Sequence, residues 1–154
     1  MMTQFEVVGP TPTPAPTTTP GATPPPAASQ TINLSTRVKV ETGDSVGIGG
    51  FIVTGTAPKH VLVRAIGPSI TSVPGVLADP VLELHRPGGL APLTNDNWRD
   101  DPVQEAAIIA TGIAPANNLE PAIDVTLNPG AYTAVVRGTG QTTGIGLVEA
   151  YNIP

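Results

Sequence analysis

Residues 31–41 read TINLSTRVKVE, and their alternation decides the fold. Ile32, Leu34, Thr36, Val38 and Val40 fall on one side of an extended chain. Asn33, Ser35, Arg37, Lys39 and Glu41 fall on the other. A period of two with one apolar side marks a half-buried β-strand. Thr-Gly-Asp-Ser at 42–45 ends it as a turn. A second strand is predicted over Ile48–Thr54 (IGGFIVT), where Gly49 and Gly50 predict a bulge or a close backbone approach. Ala57-Pro58-Lys59 then leads into a third, His60–Ile66 (HVLVRAI). Its alternation puts Val61, Val63 and Ala65 on one face and Leu62, Arg64 and Ile66 on the other. Both faces are largely apolar, so this strand is expected at the centre of a sheet.

Downstream, Gly67–Asp79 reads as a long loop. Further strands are predicted at Val81–His85, Leu90–Thr94, Ala122–Leu127, Tyr132–Arg137 and Thr143–Tyr151, with glycine and proline between them. One helix is predicted after Asp101. Asp101 is the N-cap, Pro102 occupies the first helical position and Gln104 the third, and Gly112 ends the helix. Val103, Ala106, Ala107 and Ala110, widened by Ile109, form its apolar stripe. There is no βαβ alternation. The pattern predicts an all-β chain, an antiparallel β-sandwich or jelly roll of about eight strands with one short helix.

Composition narrows the function. The chain has 154 residues, of which 19 are proline and 17 glycine. Charged residues are 12% and aromatics 3%, so the core must come from aliphatic side chains. The net charge is −5 and no Lys/Arg cluster occurs, which argues against nucleic acid as a partner. No apolar run reaches membrane-spanning length, so no membrane insertion is expected. Cysteine is absent, which excludes disulfides and thiol chemistry.

Residues 1–30 form a separate region before the domain at 31–154. Pro10–Gln30 reads PTPTPAPTTTPGATPPPAASQ, without charge or apolar periodicity. Such a segment cannot bury enough surface to offset its ordering entropy, and alone in water it is expected to be an extended polyproline-II-like tail. Thr3–Val8 (TQFEVV) is different. Phe5 and Val7 share one side if the segment is extended, and it is long enough to add one strand to another sheet. The opening MMTQFEVVGP lacks a basic stretch followed by an apolar one, so export is expected to rely on a removed signal or another route. Thr/Pro tracts of this kind occur on surface and secreted proteins, and Thr11, Thr13, Thr17, Thr18, Thr19 and Thr23 are candidates for O-linked sugar.

Three stretches together resemble a bacterial extracellular domain of uncertain function: HVLVRAIGPS at 60–69, DPVLELHRPGG…NDNW at 79–98 and LNPGAYTAVVRG at 127–138. The second and third are also similar to pre-peptidase C-terminal domains, small jelly rolls appended to secreted enzymes. The resemblance covers 31–152 and leaves the tail outside. It implies a jelly-roll fold, an extracellular setting and an accessory role without enzymatic activity. Some relatives bind calcium or polymers through acidic loops. The acidic residues here are not spaced as that ligand set.

Each chemical constellation has a plain structural counterpart. Asn95, Asp96, Asn97, Asp100 and Asp101 form an oxygen-rich loop that could hold calcium, but EF-hand spacing is absent, and Asx turns with a helix cap account for the same residues. His60 and His85 sit at strand ends, and Ser69 is not in a nucleophile elbow. Asp79/Glu83 and Asp100/Asp101 could mimic a glycosidase pair, but one tryptophan and two tyrosines offer few stacking platforms for sugar. The glycines at 47–50 and 144–146 lack the strand–helix context of a phosphate loop. Arg64, in an apolar strand, is expected to pair with a carboxylate or to cap loop carbonyls, and Trp98 to cover core. Asn33-Leu34-Ser35 matches an N-glycosylation pattern inside a strand.

No catalytic residue, cofactor or metal site emerges. The expectation is a structural subunit of an extracellular filament or pilus-like fibre, with copies of the same chain as partners. Phe5, Val7 and Val8, with Pro10, Pro12, Pro14 and Pro16 behind them, would dock the tail head-to-tail on neighbouring subunits. The alternative is a secreted accessory module that binds polysaccharide or calcium on a Pro/Thr linker.

Overall fold

The computed structural model describes residues 33–154, so every tail position named above lies outside the described residues. Eight strands form in chain order: β1 (Asn33–Val40), β2 (Gly47–Val53), β3 (Lys59–Ile66), β4 (Pro80–His85), β5 (Leu93–Asn95), β6 (Ala122–Leu127), β7 (Gly130–Gly138) and β8 (Gly144–Asn152). One helix, α1 (Pro102–Ala110), separates β5 from β6. A 3-10 turn at Thr139–Gln141 joins β7 to β8.

The strands make two four-stranded sheets, ordered β1-β8-β3-β6 and β2-β7-β4-β5, with antiparallel pairing throughout. Successive strands switch sheets from β1 to β4, and each later strand pairs with an earlier one. That is the eight-stranded jelly roll. Alternation produces the layers. Val61, Val63 and Ala65 point between the sheets and meet Val53, Leu82, Leu84, Ala134, Val136 and Val148. Phe51 stacks on Tyr132, its register partner on β7, with ring centroids 5.5 Å apart.

The central position expected for β3 is observed, between β8 and β6. Its second apolar face is explained by a smaller core outside the first sheet. There Leu62, Trp98, Ile108 and Ala122 pack together under α1 and the loop after it. Trp98 is 3% exposed, so it covers core as expected.

Three local expectations need correction. The glycines of β2 make no bulge, since β2 and β7 stay in register from Gly47–Val136 to Val53–Gly130. Close approach accounts for Gly47 and Gly49, while Gly50 faces outward with room for a Cβ. Gly47 and Gly49 face inward, and a Cβ on Gly49 would lie 2.9 Å from Val148 Cγ1 of the other sheet. β5 lies at Leu93–Asn95 rather than Leu90–Thr94, because Leu90 is exposed in the preceding loop. The helix buries Ile108 and not the expected stripe. Val103 and Ile109 are exposed, because α1 lies over the sheet edge and only one narrow side reaches the small core.

Candidate functional site

The densest polar cluster lies on the outer face of the first sheet. Register places Ser35, Glu149 and Arg64 side by side on β1, β8 and β3. Arg64 Nε donates to Glu149 Oε2 at 2.7 Å, and a second guanidinium nitrogen donates to the Ile113 carbonyl. Ser35 Oγ donates to Glu149 Oε1 at 3.1 Å, and the Tyr151 hydroxyl donates to the same oxygen at 2.9 Å. The Arg64 guanidinium lies 5.2 Å from the centre of the Tyr151 ring. Burial raises the Tyr151 pKa above that of a free tyrosine, and its hydrogen bond to Glu149 adds to the rise. Glu149 is 6% exposed and accepts from three side chains, so no oxygen is left for a ligand. The carboxylate partner expected for Arg64 is therefore found, and the group ties the strands together.

A second hub was not legible in the sequence. Glu120 is fully buried in a segment read only as loop. Its Oε1 accepts from the Gly67 and Ser69 N–H groups, and its Oε2 accepts from Ser69 Oγ and the Asn117 N–H. Four donors satisfy a buried carboxylate, and the loop donors would otherwise be unpaired. Ser69 is thereby turned to Glu120. No histidine bonds to it.

The oxygen-rich loop is likewise engaged in structure. Asp101 Oδ1 accepts from the Val103 and Gln104 N–H groups, as an N-cap does. Asn95 Oδ1 accepts from the Ala122 N–H at 2.9 Å, while Asn95 Nδ2 donates to the Asn97 carbonyl. Asn97 Nδ2 donates to Asp100, and Thr139 Oγ1 donates to Asp96. Asn97 Oδ1 and Asp79 Oδ1 are buried without a protein partner. Among the described residues, no three His, Cys, Asp or Glu side chains converge as a metal site would require. Glu83 is held by His85 and Arg137, which separates it from a paired-carboxylate role with Asp79. His60 bonds Asp124 at 2.6 Å, and among the described residues no serine or threonine bonds the imidazole.

No protein-family model matches the chain, and no curated protein matches it. Among solved structures, the chain is similar to the pre-peptidase C-terminal domain of a collagenase from Bacillus anthracis. The likeness has a TM-score of 0.48 and 12% sequence identity, over 77% of this chain and 89% of that domain.

Sugar-stacking platforms are scarce on the sandwich. Phe51, Trp98 and Tyr132 are buried, and the Arg64 guanidinium lies over the ring of Tyr151. Ile48 and Ile52 on β2 stand 58% and 62% exposed. Among the described residues no helix is long and apolar enough to cross a membrane.

Proposed function

We propose that the chain is an extracellular accessory module that works by binding and carries out no catalysis. One observation carries this reading: the buried carboxylates and most polar groups of the oxygen-rich loop are engaged inside the fold, Asp79 Oδ1 and Asn97 Oδ1 excepted. Glu120, Glu149 and the Asn95–Asp101 loop each hold backbone or neighbouring side chains. The motif resemblance supports the extracellular setting. The ligand classes are an insoluble polysaccharide or calcium, presented on the Pro/Thr tail. The test combines co-sedimentation of the full chain with insoluble polysaccharides and its melting temperature in calcium against EDTA. Retention on a polymer, or a calcium-dependent rise of several degrees, supports the module. Neither effect, or turnover of a peptide or glycan substrate, sinks it.

A second reading is an assembly subunit that docks its tail on neighbouring copies. The observation favouring it is β2, an uncharged edge strand with two exposed isoleucines on its outer face. Concentration-dependent self-association in analytical ultracentrifugation is the measurement that separates the two readings.

A further inference from the structure

A sandwich of two open sheets has four edge strands, and exposed edges invite pairing with other chains. Three of the four are guarded here. On β6, Asn95 Oδ1 takes the Ala122 N–H, and the Gln104 carboxamide takes both the N–H and the carbonyl of Asp124. β5 is only three residues long. β1 turns Arg37 and Lys39 outward. A charged edge of this kind opposes pairing.

β2 has none of these devices. It runs seven residues, GIGGFIV, with no charge and no proline. It is in continuous register with β7 and has no bulge. Among the described residues, its backbone has no hydrogen-bond partner beyond β7. Its outward side chains are Ile48 and Ile52, with Gly50 between them. The result is an apolar edge with no side chain at Gly50 between the two isoleucines.

We propose that this edge accepts residues Thr3–Val8 of a second copy as an added strand. The proposal rests on the assembly reading and names its acceptor surface. Within residues 1–32, Thr3–Val8 combines Phe5, Val7 and Val8 with a full set of backbone N–H donors, whereas prolines interrupt residues 10–26 and residues 27–31 carry no side chain larger than glutamine and none of the large apolar ones. A strand added beside β2 gains main-chain hydrogen bonds along the edge. Phe5 and Val7 share one side of it and would lie against Ile48 and Ile52, with the Phe5 ring over Gly50. Aromatic cover of a strand glycine is a favourable cross-strand pairing. The spacer argues for a neighbour over the chain's own β2. About twenty residues of this composition reach roughly 60 Å. The longest strands here, nine residues each, span only about 30 Å.

Complementation tests the proposal in the full chain. One variant carries Phe5→Asp and Val7→Asp, with β2 intact. The other carries Ile48→Lys and Ile52→Lys, with the tail intact. All four sites lie in the tail or on the surface, so both variants should keep the parent melting temperature within a few degrees. Each alone should sediment as a monomer while the parent forms larger species. Their equimolar mixture should give a heterodimer, twice the monomer mass. If the tail variant still self-associates, β2 pairs with something other than the tail and the proposal is overturned. If the mixture stays monomeric while the parent assembles, the tail docks elsewhere: the inference fails and the assembly reading survives. A parent that stays monomeric at high concentration ends both.

Discussion

Gln104 and Asp124 are joined by two hydrogen bonds that imitate a strand. Gln104 Nε2 donates to the Asp124 carbonyl at 3.2 Å, and the Asp124 N–H donates to Gln104 Oε1 at 3.0 Å. A side chain from α1 therefore fills a rung on the free edge of β6. This closes the edge to other chains and anchors the helix without a broad apolar face.

Replacing Gln104 by alanine removes both bonds and opens that rung. The expected loss is about 1–2 kcal/mol of stability. Gln104→Glu keeps the acceptor and loses the donor, so about half that loss is expected. Amide hydrogen exchange at Asp124 should quicken in the alanine variant. Unchanged protection there would show that the edge is covered by other means.

Glu120 is expected to be the most sensitive carboxylate. Glu120→Ala leaves the donors of Gly67, Ser69 and Asn117 without their acceptor, at a cost of about 3 kcal/mol or more. Glu120→Gln keeps one acceptor oxygen and should cost less. Urea denaturation of the two variants gives both values, and a loss below that of an ordinary surface substitution would contradict the role of a hub.

Arg64→Ala strands the Glu149 carboxylate in a buried site. Breaking such a pair from one side costs about 3–5 kcal/mol, whereas replacing both partners by apolar residues is often close to neutral. The double variant Arg64→Met with Glu149→Leu should therefore be more stable than Arg64→Ala alone. A double-mutant cycle in urea measures this, and additive losses would refute the coupling.

Tyr151 links stability to alkaline pH. Its folded pKa is raised, so the native chain holds this proton when the unfolded chain, with a tyrosine pKa of about 10, has released it. The contribution is fully present below that pH and is lost as the pH rises through the folded pKa. Tyr151→Phe removes this slope and leaves the other alkaline titrations in place. Denaturation at pH 9 and pH 11 should show the larger drop in the parent. Equal drops in the two proteins would show that Tyr151 is not the linked group.

Strand alternation was legible residue by residue. The predicted ends of β6 are its observed ends, and the cap at Asp101 follows from Asp101, Pro102 and Gln104 in their helix-start positions. The helix face differs from the expected stripe because apolar spacing alone does not show which side meets the sheet: Ile108 is the residue buried there, and Gln104 adds polar contacts to β6. Glu120 carried no local signal. It lies between Leu119 and Pro121 in an irregular loop, and three of its four donors, on Gly67 and Ser69, are about fifty residues away in sequence.

The chain's own order of residues determines the strands, their inward and outward faces and the helix start. These are short-range properties, set by backbone periodicity and turn chemistry within a few residues. Tertiary structure decided which strand became an edge, which edges Gln104 and Asn95 close, and that β2 has no backbone partner beyond β7 among the described residues. It also chose Glu149 for Arg64 and gathered four donors on Glu120. Those outcomes depend on strand order in two sheets, and pairing between distant segments is set by the packing of the whole sandwich.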